Sequence, residues 1–222
     1  MALRLRHTHA WNVSPAAARR IQERLRTHVV LNDKIGAVRL IAGIDASYDQ
    51  ARRRARAAVV VLHYPSLALA ERIVVRRALT FPYVPGLLSF RELPVVLAAL
   101  QRLRCKPDVI LCDGQGIAHP RRLGVATHLG VLMNLPTIGV AKTRLIGEHG
   151  VVPGRKGRWT PLLDKGEVIG AVLRTRRAVK PVFVSQGHRV SLATAIELVM
   201  GCVTRYRLAE PIRAAHCAAG LD

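Results

Sequence analysis

Between Pro107 and Leu145 the chain runs through an apolar stretch, a glycine turn, a helical stretch and a second apolar stretch, and few architectures accept that order. Val109-Ile110-Leu111-Cys112 is short, partly β-branched and ends at Asp113, as suits a strand buried on both faces. Gly114-Gln115-Gly116 supplies a turn with little side-chain bulk. The pattern then predicts a helix over Leu123 to Met133 and a second strand over Thr137 to Val140, closed by Lys142. A strand, a crossover helix and a parallel strand form a βαβ unit, and ligands of such sheets collect beyond the carboxyl ends of the strands. Asp113 and Lys142 sit at those ends. Taken alone, an Asp after a strand is more simply a helix cap or turn residue; the other acids decide how to read it.

Upstream, Ser14 and Pro15 mark the start of a helix predicted over residues 15–30, with Ile21, Leu25 and Val29 at helical spacing. Strands are predicted over 39–48, from Ala57 to Tyr64 and over 68–79, and their short connections argue an antiparallel meander. On the first, Asp45 shares a face with Ile41, Gly43 and Ser47. A carboxylate on such a face is costly unless paired, hydrogen-bonded or on a metal, the alternative being an Asp that turns the strand end into a loop. Pro82, Pro85 and Gly86 stiffen a loop with Tyr83 at its tip; burial of Tyr83 is the competing reading. From Leu87 the pattern is helical, and Glu92 falls on the inward face with Leu88, Val96, Ala99 and Leu103. Ser89-x-x-Glu92 also matches a capping box, although that cap would put Pro94 inside the helix. Residues 148–158 form a basic, glycine-rich loop. Two more strands are predicted near Glu167 to Arg174 and Pro181 to Ser185, then a helix capped by Ser191, then a short last helix carrying His216.

No repeat or low-complexity linker divides the 222 residues, so residues 1–222 are expected to form a single α/β domain. The formal net charge of +21 favours a polyanionic partner, nucleic acid first; an Arg-rich proteome is the other source of such an excess. Cys105, Cys112, Cys202 and Cys217 show no C-x-x-C spacing, which argues against a zinc site or a disulfide framework and for a reducing, cytoplasmic setting. No signal-peptide core is present, and no apolar run approaches the roughly 18 residues that cross a bilayer, so no membrane partner is expected. Asp45 on the first strand, Glu92 on the helix and Asp113 on the fourth strand could converge on one rim, and two or three carboxylates in so basic a chain suit metal-assisted cutting of nucleic acid.

The blocks Gly43-Ile44-Asp45, Phe81-Pro82-Tyr83-Val84-Pro85-Gly86-Leu87-Leu88-Ser89-Phe90-Arg91-Glu92, Asp113-Gly114-Gln115-Gly116, His119-Pro120-Arg121-Arg122-Leu123-Gly124, Pro136 to Lys142, Gly187-His188-Arg189 and Glu210-Pro211-x-Arg213 carry a resemblance. Through them the chain resembles endonuclease V, the inosine-directed nuclease. The resemblance implies an RNase H-like mixed sheet, an antiparallel meander followed by parallel strands, flanked by helices. It implies that Asp45 and Asp113 hold Mg2+, with Mn2+ as a substitute, and that Glu92 completes the acidic site. Lys142 would stabilise charge at the scissile phosphate, and His216 would sit near the metal's water. Tyr83 would wedge into the duplex. Hypoxanthine would flip into a pocket around Pro85, Gly86, Leu88, Gly114, Gly116, His119, Arg121 and Gly124, and the nick would fall at the second phosphodiester 3′ to the lesion. A tight pocket for a flipped base rejects the exocyclic amines of adenine and guanine sterically. The expected partner is inosine-containing DNA, with inosine-containing RNA as the alternative, acted on by a monomer. A nucleic-acid-binding protein of the same fold without catalysis is the competing class. Arg52-Arg53-Arg54 belongs to none of these blocks and carries only charge at this level.

Overall fold

β1 (Leu40–Asp49), β2 (Arg54–His63) and β3 (Leu69–Ala78) pair antiparallel through alanine- and valine-rich interiors, and this meander is one edge of the sheet. The computed structural model describes residues 3–220. β4 (Val109–Asp113) runs parallel beside β1, and β5 (Thr137–Ala141) runs parallel beside β4, as the βαβ pattern predicts. β8 (Val182–His188), β7 (Glu167–Leu173) and β6 (Trp159–Asp164) then continue antiparallel, so that one eight-stranded sheet has the order β3-β2-β1-β4-β5-β8-β7-β6. The order of meander and parallel strands is the one the resemblance implies; the antiparallel extension beyond β5 is additional. β6 escaped the sequence reading for a physical reason. It is an edge strand with a proline, Pro161, and only Leu162 fully buried, so neither alternation nor apolar length announces it.

The period-2 alternation of the strands divides the core in two. Ala42, Ile44, Val59, Ile110 and Cys112 face α2 (Leu88–Leu100) and α3 (Val125–Met133), with α1 (Pro15–Leu25) outside them. Ile41, Val60, Leu111, Val140 and Val184 face α4 (Leu192–Gly201) and α5 (Glu210–Ala219). Each fully buried Leu, Ile or Val contributes about 1.5–3 kcal/mol, so both layers pin the sheet. Among the described residues no helix is long and apolar enough to cross a membrane.

Helix starts follow their local chemistry in two cases and depart from it in one. Ser14 and Ser191 cap α1 and α4 by accepting from Ala17 N and Thr194 N. α1 ends at Leu25 and passes into a 3-10 turn at Arg26–His28, short of the predicted 30. At α2 the capping box is unused. Leu87 is the N-cap without a side-chain bond, and Pro94 lies inside the helix after all. Burial of Leu93, Val96 and Leu100 against the sheet outweighs the proline's cost of about 3 kcal/mol.

Candidate active site

Asp45 and Asp113 come together because two parallel strands carry them in register. Ile44 is paired with Cys112, and one step further along both chains places the two carboxylates side by side on the face toward α5. That face admits the helix only because residue 43 is glycine: a Cβ there would lie 1.9 Å from the Pro211 carbonyl oxygen of α5. The close approach carries His216 over the strand, and its Nδ1 lies 2.7 Å from Asp45 Oδ2. Lys142, just past β5, donates from Nζ to Asp113 Oδ2 at 2.5 Å. Side chains of Asp45 and Asp113 are 14% and 12% exposed, while the imidazole of His216 is 58% exposed. Asp45 is held above the usual carboxylate range by burial and by the neighbouring charge of Asp113, partly offset by His216 and Lys142. Ligand atoms of Asp45, Asp113 and His216 all lie within 4.8 Å of one another. Two crowded oxygen donors whose mutual repulsion a cation would relieve fit a hard divalent metal.

Glu92 reaches the same rim from the opposite face of the sheet. It projects from the first turns of α2 and accepts a hydrogen bond from the Tyr48 hydroxyl at 2.8 Å. Burial first, then Asp45 and Asp113, push its carboxyl up to about 8, against the lowering hydrogen bond from Tyr48 and the charge of Arg91. The Arg91 guanidinium lies 4.6 Å over the Tyr48 ring and donates to the Phe81 carbonyl, tying the Tyr83 loop to α2.

That loop borders a cavity of about 370 Å³ that opens beside the acidic centre; Asp113 and Lys142 line its wall. Pro85, Gly86, Leu88, Gly114, His119 and Gly124, residues of the expected base pocket, line it too, with Tyr83 beside them. Tyr83 is 68% exposed, which sets aside the buried reading. Gly114 takes φ +151, a conformation L side chains rarely adopt, and its hydrogens face Val125 where a Cβ would collide. Arg121 stands behind the wall rather than in it, donating to the Gly86 carbonyl at 2.7 Å. Gly116 is also set back: its N–H donates to Ser185 Oγ, and a Cβ would strike the Gln186 carbonyl.

The wall is braced by groups whose proton positions the contacts dictate. The Gly86 carbonyl can only accept, so neutral His119 carries its proton on Nε2, 3.0 Å away, and Nδ1 accepts from Arg121 N–H. Burial and Arg121 push this ring down to about 4, which keeps it neutral. Gln22 of α1 completes the brace, donating to Gly86 and Leu123 carbonyls and accepting from Arg121 Nε at 2.6 Å. A second chain runs inward. His9 Nδ1 donates to the Ala10 carbonyl, so its Nε2 accepts from His128 Nε2–H at 2.8 Å. His128 Nδ1 then accepts from the Ser89 hydroxyl at 2.9 Å. Burial lowers both rings below the ordinary value and keeps the chain uncharged. Ser89 also lines the cavity. Sequence reasoning missed Gln22, Tyr48, Arg91, His9 and His128. Tyr48 gave a signal as a rare aromatic three residues past Asp45, and Arg91 stands in the Phe81–Glu92 block without a role assigned to it; the others look like ordinary polar residues of helices or a terminal segment.

Residues 23–217 match the family model described as Endonuclease V. The chain is 56% identical over 209 residues to Endonuclease V of Roseiflexus sp. (strain RS-1), covering 94% of this chain and 93% of that one. It superimposes on the crystal structure of Endonuclease V from Streptomyces avermitilis with TM-score 0.91 and 41% identity, covering 99% and 96% of the two chains. It also matches Endonuclease V of Ciona intestinalis, in complex with a 24mer DNA containing an inosine followed by a ribo-adenosine, with TM-score 0.80 and 32% identity over 92% and 95% of the chains.

Proposed function

The chain belongs to the endonuclease V family, and on that premise we propose that it is a repair nuclease that recognises deoxyinosine in DNA and hydrolyses the second phosphodiester bond 3′ to it. The observation that carries this reading is the shared wall: Asp113 and Lys142 belong at once to the acidic centre and to a cavity whose lining is mainly apolar. A flipped base and its phosphates are thus held against the groups that do the chemistry. The inosine-containing DNA on the Ciona relative supports the choice of ligand.

Asp45 and Asp113 would hold Mg2+, or Mn2+ in its place, with His216 at the same centre. The metal, when bound, supplies activation of water and charge neutralisation on the phosphate. His216 donates from Nδ1 to Asp45, which leaves Nε2 as the basic nitrogen; it is placed to take the proton of an attacking water. Lys142, whose ammonium rests against Asp113 Oδ2, would oppose the charge that develops on the reacting phosphate. Burial and the neighbouring carboxylates push Glu92 up to about 8, and with a cation bound it would add a third carboxylate to the rim. Tyr83 fills the gap left by the departed base. All four cysteines are free, which supports a reducing, cytoplasmic compartment.

The test is one inosine placed in matched DNA and RNA oligonucleotides, with and without Mg2+. A nick at the second phosphodiester 3′ to the inosine, in DNA and only with the metal, is expected. Cutting of RNA alone would replace DNA by RNA as the substrate, and cutting of neither would overturn the reading.

A further inference from the structure

Arg52, Arg53, Arg54, Arg76 and Arg77 line one concavity at the end of the meander farthest from β6. All five are exposed. Arg52 faces Asp49 at 3.5 Å; among the described residues the other four have no ion pair. Five like charges gathered on one surface repel one another, so the fold alone gives no reason to gather them. Edge strands do carry charge to block pairing with another sheet, and β3 is an edge strand. That accounts for Arg76 and Arg77. It does not account for Arg52 to Arg54, which occupy the β1–β2 turn and its exit rather than an open strand edge.

The cluster is joined to the Tyr83 loop. Leu79 N–H donates to the Arg53 carbonyl at 2.8 Å, which staples the turn to the segment leading to Tyr83. Arg53 and Tyr83 border one further hollow, together with Pro82 and Arg91, and Arg91 holds the Phe81 carbonyl between them. β1 itself passes from Asp45 to Asp49, four residues and roughly 13 Å, before reaching the arginines. Acidic centre, aromatic tip and arginine cluster therefore follow one rim in that order.

We propose that these five arginines are a phosphate-tracking surface that holds the arm of duplex DNA on the Tyr83 side of the lesion. This rests on the inosine-nuclease reading and adds to it a second anchor outside the active site. Guanidinium groups suit it because their planar fork pairs with phosphate oxygens and stays charged at any working pH. An anchor there holds the duplex while Tyr83 separates it at the lesion, and it reads no sequence.

The test is equilibrium binding to duplexes without Mg2+, so that it does not depend on cutting. One variant carries Arg54→Gln, Arg76→Gln and Arg77→Gln; a control carries Arg155→Gln, Lys156→Gln and Arg158→Gln, which removes equal charge beside β6 at the opposite edge. The cluster variant is expected to flatten the plot of log Kd against log salt by about 2–3, at roughly 0.9 for each phosphate left without its guanidinium. Its melting temperature should not fall. The wild type should lose affinity when the duplex arm on one side of the inosine is trimmed by about one helical turn, ~10 base pairs, and the cluster variant should be indifferent to that trimming. An unchanged salt slope, an equal change in the control, or equal sensitivity to trimming either arm would overturn the proposal. Failure of the wild type to nick inosine DNA would instead strike the function reading, and the two failures are read in separate assays.

Discussion

The two faces of the sheet meet the same rim with opposite electrostatics. Toward α5 stand Asp45, Asp113, Lys142 and His216, joined by charge-bearing contacts and partly open to solvent. Toward α2 and α3 stand Glu92 with Tyr48, and Ser89 with His128 and His9, where burial drives the titrating groups toward their neutral forms. Charge is kept where a cation and a phosphate can compensate it. Where burial dominates, the same residue types rest as uncharged hydrogen-bond fixtures that hold the cavity's shape. A carboxyl on this rim is therefore not defined by its type alone; the face it comes from decides whether it is ionised before ligands arrive.

The open face is where a single change should matter most. Asp113→Asn is expected to lower nicking by more than 100-fold, above the 10–100-fold typical of residues one step removed from a metal, while melting temperature holds or rises because a crowded charge is gone. Asp45→Asn should behave alike. Near-wild-type nicking by either at ordinary Mg2+ would dissolve the distinction between the faces.

Tyr83 belongs to neither face, being exposed at the loop tip. Tyr83→Ala should lower nicking of duplex substrate about 10-fold, from base stacking worth about 1–3 kcal/mol, and should affect a single-stranded inosine substrate less. Tyr83→Phe should be mild, because the proposed wedge needs the ring and not the hydroxyl. An equal loss on both substrates with a lowered melting temperature would make Tyr83 a packing residue.

The closed face is probed by its protons. With Glu92 near 8, Mg2+ added at about pH 7 should displace a proton, because a nearby cation favours the ionised carboxyl. Calorimetry in buffers of different ionisation enthalpy counts the protons released, and Glu92→Gln should release fewer. Identical counts for wild type and variant would mean Glu92 is already ionised and the contrast is false.

The smallest effect is on stability in acid. His119 and His188 are pushed down to about 4, and His9 and His128 are lowered too, in every case chiefly by burial. Each ring is neutral when folded, whereas in the unfolded chain it gains its proton near 6.5. Their contribution is thus fully present above about 6.5 and falls away as pH drops below it, for His119 and His188 toward about 4. Melting temperature should decline across that window; a flat profile down to about pH 5 would show that the rings titrate as freely in the fold as outside it.

Much of this architecture was legible because it rests on local rules. The run 109–112, its stop at Asp113 and the glycine turn announce a strand end whatever the rest of the chain does, and the meander follows from three alternating runs with short links. Asp45 was legible for the same reason, since strand alternation alone puts it on the face of Gly43. β6 was not legible, because an edge strand buries little and so leaves no apolar record. The unused capping box at Ser89 failed in the other direction: the motif is local, but packing of α2 on the sheet set where the helix begins, and Ser89 was taken by His128.

By itself the sequence determined the strand and helix order, the basic balance, the acids at strand ends and the blocks that tie the chain to its family, all of which are properties of neighbours along the chain. Only the tertiary structure decided that Asp45 and Asp113 share one face while Glu92 approaches from the other, that His216 arrives through the space left at Gly43, and that the arginines of the β1–β2 turn continue the rim past Tyr83. The reason is range. Alternation and capping act over a few residues, but pKa, cavity shape and surface charge depend on groups as far apart in the chain as the 29 residues between Asp113 and Lys142 and the 171 between Asp45 and His216, and those distances are set by how helices pack on the sheet.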